Sequence, residues 1–218
     1  FDDINKQIED FEDRNNIELA KLQKEAVTKV MEHGILIITG GPGTGKTTAI
    51  NCIISILTQN GITVELAAPT GRAAKRMSEA TGFEAKTIHR LLEYGYNDED
   101  GSGFQKNEDD PLKSDVVIID EMSMVDIMLL NSLLKAIQPG TRLVMIGDID
   151  QLPSVGPGNV LRDIIASEAL TVVQLTEIFR QAQESMIITN AHRINKGQLP
   201  ILNAKEKDFF FDRRNSAE

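Results

Sequence analysis

Short apolar runs alternate with longer amphipathic stretches along the 218 residues. The runs predict strands at 35–39, about 63–68, 115–119, 142–146 and 171–175. Helical patterns lie between them at 47–59, 71–80, 87–93, 125–137 and 158–167. Residues 1–33 also read as helical, with Ile4, Ile8 and Phe11 on one face, then Leu19, Leu22, Ala26, Val27 and Val30. Gly34 is expected to end the second helix. Strands that alternate with helices form a parallel sheet covered on both faces, so the predicted class is α/β. Ligands of such sheets bind at the carboxyl ends of the strands.

Two stretches depart from the alternation. Tyr94 to Pro111 contains Gly95, Gly101, Gly103 and the acidic run Asn97-Asp98-Glu99-Asp100. It reads either as a solvated loop or as a small inserted hairpin with Gly101-Ser102-Gly103 as its turn. Near the end, Phe209-Phe210-Phe211 suits the start of a strand.

Composition narrows the class. At 41% apolar residues the chain can build a core for one large domain. No apolar run approaches the roughly 18 residues of a membrane span. Phe1-Asp2-Asp3 opens an acidic segment rather than a signal peptide, and the missing initiator Met suggests an excised or processed chain. A single cysteine, Cys52, excludes a disulfide framework and favours a reducing, cytoplasmic setting. The net charge of −10 argues against nucleic acid. That acid is concentrated in residues 1–18 and 97–110, which leaves room for a local basic path.

The chemistry is concentrated at strand ends. Gly40-Gly41-Pro42-Gly43-Thr44-Gly45-Lys46-Thr47-Thr48 follows the run Ile35-Leu36-Ile37-Ile38 and opens a helix. This is the pattern G-x-x-x-x-G-K-[ST] in its required strand–loop–helix context. Its backbone N–H groups can surround phosphates, Lys46 can reach the β- and γ-phosphates, and the Thr47 hydroxyl can ligate Mg²⁺. The ligand expected is therefore a nucleoside triphosphate with Mg²⁺, which the resemblance below narrows to ATP. Val116-Val117-Ile118-Ile119 ends in Asp120-Glu121: Asp120 can complete the Mg²⁺ shell, and Glu121 can orient or deprotonate the attacking water. Gln151 follows the strand ending Gly147-Asp148 and could sense the γ-phosphate, or be a polar loop residue. Arg180 could stabilise developing charge, or form a surface ion pair. At Pro69-Thr70-Gly71-Arg72 another strand meets a helix, where a hydroxyl and N–H groups could hold a backbone phosphate; an ordinary basic helix face is the alternative. Thr87-Ile88-His89-Arg90 is a second cluster of this kind.

Together, GGPGTGKTT (40–48), APTGRAAKRM (68–77), TIHRLL (87–92), VVIIDEMSMVD (116–126), GDIDQLPSVGPGNVLRDI (147–164) and LTEIFRQA (175–182) resemble a superfamily-one DNA helicase of the RecD-like branch, the exodeoxyribonuclease V α-subunit type. The run 151–159 resembles members that work without RecB and RecC. The resemblance implies a RecA-like P-loop NTPase fold over residues 19–200, after a helical lead-in at 1–18. Residues 201–218 would begin the connection to a second RecA-like domain that this chain lacks. It also implies a pin hairpin at 94–111 and an adenine-reading glutamine, Gln23, beside the nucleotide loop Gly41 to Thr48. Lys46, Asp120, Glu121, Gln151 and Arg180 would be catalytic, and Pro69, Thr70, Gly71, Arg72 and His89 would contact DNA. The function implied is ATP-driven 5′–3′ movement on single-stranded DNA in recombination and repair. This piece alone is expected to bind ATP or ADP, hydrolyse slowly, hold DNA weakly and unwind nothing. The alternatives are an ATP-gated binding module, a relaxase-associated helicase or a small-molecule kinase; adjacent Asp120 and Glu121 disfavour the kinase.

Overall fold

A computed structural model describes residues 3–97, 101–202 and 208–211. Asp3 caps the first helix, α1 (Ile4–Asn15), by accepting from the Lys6 N–H. Helix α2 (Lys21–Glu32) follows, capped at its end by His33 in an extended conformation rather than by Gly34. The chain then alternates through β1 (Ile35–Gly40), α3 (Lys46–Gln59), β2 (Val64–Ala68), α4 (Gly71–Thr81), β3 (Ala85–Thr87) and the single turn α5 (Ile88–Leu91). A hairpin comes next, β4 (Tyr94–Asn97) and β5 (Gly101–Phe104). The alternation resumes with β6 (Val116–Ile119), a 3-10 turn (Met122–Met124), α6 (Ile127–Ala136), β7 (Arg142–Gly147), α7 (Val160–Ala166) and β8 (Thr171–Leu175). Two helices close the described chain, α8 (Arg180–Gln183) and α9 (Met186–Asn195).

Among the described residues six strands form one parallel sheet in the order β3-β2-β6-β7-β1-β8. Successive strand residues face opposite sides, and both sides are covered. Leu36, Ile38, Val116, Ile118, Val144 and Ile146 pack with α1, α2 and α3 on one face. Ile37, Val117, Ile119, Leu143 and Met145 pack with α5, α6 and α7 on the other. Burial on both faces is why these strands read as unbroken apolar runs. The RecA-like layout predicted from the sequence is therefore present. Ile8 and Phe11 of α1 lie in the same core as α2 and α3, so the lead-in helix is part of this packing unit.

Several local expectations are corrected. β3 and α9 were not read from the pattern, and the helix expected at 87–93 shrinks to α5. Gly101-Ser102-Gly103 is not the hairpin turn. These residues pair in β5, with Gly95 opposite Gly103 and Tyr96 opposite Ser102. The connection is 98–100, which lies outside the described residues, as do Phe1, Asp2 and most of 201–218. Phe209-Phe210-Phe211 forms no strand, and Phe210 is 77% exposed. Just before it, Asp208 accepts from the Ser185 hydroxyl at 2.5 Å and the Met186 N–H at 2.7 Å, tying this segment to the start of α9.

Candidate nucleotide site

Because the six strands are parallel, their carboxyl ends share one edge, where the loop Gly40–Thr48 joins β1 to α3. Gly43 and Gly45 both sit at φ +77°, a conformation that residues with a Cβ adopt at a cost. The loop is also tightly walled. A Cβ on Gly43 would strike Ala182, one on Gly45 would strike Phe179 and the Gln23 amide, and one on Gly41 would strike His192. Within the loop, the buried Thr44 hydroxyl donates to the Gly41 carbonyl at 2.8 Å. From outside, His192 Nε2 lies 2.9 Å from the Pro42 carbonyl, so this nitrogen carries the ring hydrogen. The Phe179 N–H donates to the Gly43 carbonyl at 3.2 Å. The Lys46 ammonium donates to the carbonyls of Gly40 (2.5 Å) and Gly41 (3.0 Å). Burial pushes its pKa down, while the charges of Asp148, Asp120 and Glu121 oppose that shift.

The neighbouring strand ends complete a cavity of about 220 Å³ lined by Lys46, Thr47, Arg76, Asp120, Glu121 and Gln151. Four of the residues named from the sequence as catalytic thus meet around one space, together with Thr47. Burial raises the Asp120 pKa most, and the adjacent Glu121 charge adds to it. The Glu121 N–H, donating to Asp120 Oδ1 at 2.8 Å, acts against the rise, as do Lys46 and Arg76. Glu121 itself holds φ +56°, a left-handed backbone that costs a residue with a Cβ about 1–3 kcal/mol. Its carboxylate Oε1 pairs with the Arg76 guanidinium at 3.2 Å. Asp148, buried at the end of β7, accepts from the Asp150 N–H at 3.0 Å and shapes the turn that presents Gln151. Among the described residues no cluster of three His, Cys, Asp or Glu could hold a metal alone. Thr47 and Asp120 on one cavity do suit Mg²⁺, which takes one or two protein ligands together with phosphate oxygens and water.

On the other side of the loop a larger cavity, about 690 Å³, is lined by Ile17, Glu18, Gln23, Thr48, Phe179 and Ala182, with Gly43 and Gly45. Gln23, the residue expected to read adenine, is 1% exposed. Its Oε1 accepts from the Ala20 N–H (2.8 Å), and its Nε2 donates to the Gly45 carbonyl (2.9 Å). It therefore ties the start of α2 to the phosphate loop, with its second amide hydrogen left over.

The residues expected to contact DNA lie farther along the same edge. Thr70 caps α4 by accepting from the Ala73 N–H at 3.2 Å, behind half-buried Pro69 and beside exposed Gly71 and Arg72. Thr87 caps α5 in the same way, and Ala68 pairs with Thr87 in the sheet, so the two helix starts are neighbours. His89 packs against Tyr94 and Phe104, with ring centroids at 5.8 and 5.5 Å, and so anchors the hairpin. Arg180 opens α8; its side chain lies outside the described residues. Sequence reasoning gave no place in this site to Arg76, Asp148, Phe179 or His192. Asp148 had a signal, since it follows a buried strand as Asp120 does.

Comparison with known proteins finds relatives among DNA helicases. A family model described as "AAA domain" matches residues 18–210. The chain is 40% identical over 182 residues to the ATP-dependent RecD2 DNA helicase of Deinococcus radiodurans, covering 84% of this chain and 24% of that protein. It is 38% identical over 166 residues to the RecBCD enzyme subunit RecD of Mycolicibacterium smegmatis, covering 66% of this chain and 30% of that subunit. The chain thus spans about a quarter to a third of these relatives. Among solved structures, the Pif1 helicase of Candida albicans superposes with a TM-score of 0.61 at 27% identity, over 84% of this chain and 45% of that one. With a phosphate loop, paired carboxylates and matches of this extent, the chain belongs to the AAA domain family, as a RecD-like member.

Proposed function

We propose that residues 19–200 form the first ATP-hydrolysing motor domain of a cytoplasmic 5′–3′ DNA helicase acting in recombination and repair. The observation that carries this reading is the convergence of Lys46, Thr47, Asp120, Glu121 and Gln151 on one cavity beside the phosphate loop. Lys46 leaves the Gly40 and Gly41 carbonyls for phosphate oxygens. Thr47 and Asp120 hold Mg²⁺, which when bound neutralises charge on the β- and γ-phosphates. Glu121 takes a proton from the attacking water, and Gln151 orients that water. Arg180 is assigned to the developing charge. The nucleobase enters the larger cavity, between Ile17 and Phe179, with Gln23 at its base.

Pro69, Thr70, Gly71, Arg72 and His89 are the proposed contacts for single-stranded DNA. The partner domain is a second RecA-like unit of the same protein, and the run 151–159 favours the branch independent of RecB and RecC. The chain by itself hydrolyses slowly and does not unwind, because closure between two domains is what converts hydrolysis into a step.

The test is Mg-ATP hydrolysis by this chain with and without a dT oligonucleotide. Slow turnover indifferent to DNA is expected. Strong stimulation by DNA would overturn the claim that the chain is half of a site, and absence of Mg-ATP binding would overturn the nucleotide reading altogether.

A further inference from the structure

Arg76 stands in the hydrolytic cavity without a role in the assignments above. It lies on α4, whose Ala73, Ala74 and Met77 are buried. From that helix its guanidinium crosses to a carboxylate 45 residues away, placing Nη2 3.2 Å from Glu121 Oε1. Arg76 is 64% exposed along its side chain and Glu121 only 21%, and both line the cavity. Among the described residues Glu121 Oε2 has no hydrogen-bond partner. One oxygen is pinned and the other is left to act. A carboxylate turns readily about its last bond, and a base that must meet a water in one direction benefits from a third group that fixes it. A charge-assisted bond from a planar guanidinium supplies direction as well as attraction. The left-handed backbone at Glu121 sets the root of the side chain, and Arg76 sets its tip.

We propose that Arg76 is a positioning residue for hydrolysis: its ion pair to Glu121 Oε1 aims Oε2 at the attacking water. This rests on the reading of Glu121 as the base. Arg76 itself has no step in the reaction and no share in nucleotide binding.

The test is single-turnover hydrolysis with protein in excess over labelled ATP, beside binding of a fluorescent ATP analogue, for the wild-type chain, R76A, R76K, E121Q and R76A/E121Q. R76A should hydrolyse about tenfold more slowly with unchanged analogue affinity. R76K, which keeps the charge but not the planar guanidinium, should recover part of the rate. The double variant should be no slower than E121Q, because there is then no base left to aim. A wild-type rate in R76A, a loss of rate matched by a loss of affinity, or a further loss in the double variant would each overturn the assignment. If the wild-type chain binds no Mg-ATP, or binds it without hydrolysis, the proposed ATPase function falls and this assignment with it. A wild-type chain that turns over alongside an unaffected R76A sinks the Arg76 role alone.

Discussion

The ammonium of Lys46 donates to two loop carbonyls, Gly40 and Gly41, and an arriving phosphate competes for the same hydrogens. Exchange of neutral acceptors for anionic ones strengthens the bonds, so Lys46→Ala should weaken ATP binding by at least about tenfold. Titration of a fluorescent ATP analogue checks this. Cys52 is the opposite kind of residue, chemically silent because of where it sits. Burial pushes its thiol from 9.0 to about 12. At pH 8 the thiolate is absent from the folded chain, and alkylation by iodoacetamide should occur only as fast as the protein opens. The folded state also holds this proton more tightly than the unfolded chain does. Stability should therefore fall as pH rises from about 9 toward about 12, by up to ~1.4 kcal/mol per pH unit from this group. Denaturant melts of wild type and Cys52→Ala across that range isolate the contribution, which the variant should lack.

At the scale of elements, what could be read from the chain depended on how each piece earns its stability. β1, β6 and β7 are buried on both faces, and their apolar runs announce them. β3 has three half-buried residues, Ala85-Lys86-Thr87, and exists because β2 supplies hydrogen-bond partners, which no local pattern records. After Met186, the first turn of α9 holds β-branched Ile187-Ile188-Thr189, poor helix formers, and the helix is held by its Ser185 cap and by Asp208 from beyond it. Glycines suggested a turn at 101–103, yet these residues pair as a strand with Asn97, Tyr96 and Gly95. The site divides in the same way. Asp120 and Glu121 follow their strand directly, Lys46 ends a glycine loop of fixed spacing, and all three were legible. Arg76 and His192 act across 45 and 150 residues of chain, so only the folded structure could place them. A strand that depends on two-sided burial should be sensitive to truncation. Ile118→Ala, at a site 0% exposed, should cost about 2–5 kcal/mol in urea unfolding, whereas Ile35→Ala, at 36% exposure, should cost far less.

For the whole molecule, charge and shape point to different partners. A net charge of −10 repels a phosphate backbone, and the basic residues near α4 are few. Binding of single-stranded DNA to this chain should be weak near 0.15 M salt and strengthen as salt is lowered, because it depends on counterion release. A salt titration by fluorescence anisotropy reads this directly, and tight binding at high salt would contradict it. The walls of the phosphate loop have a different consequence, which concerns time rather than affinity. Gln23 stands on one side of the loop; Phe179, Ala182 and His192 press on it from the chain that follows β8. Gln23, Phe179 and Ala182 also line the larger cavity, so a nucleobase lodged there would touch the same residues that wall the loop. If nucleotide binds as proposed, loosening the contacts of Phe179, Ala182 and His192 with the loop should change how long it stays. A neighbour that bound the stretch after β8 would then act on dwell time without touching the glycine loop.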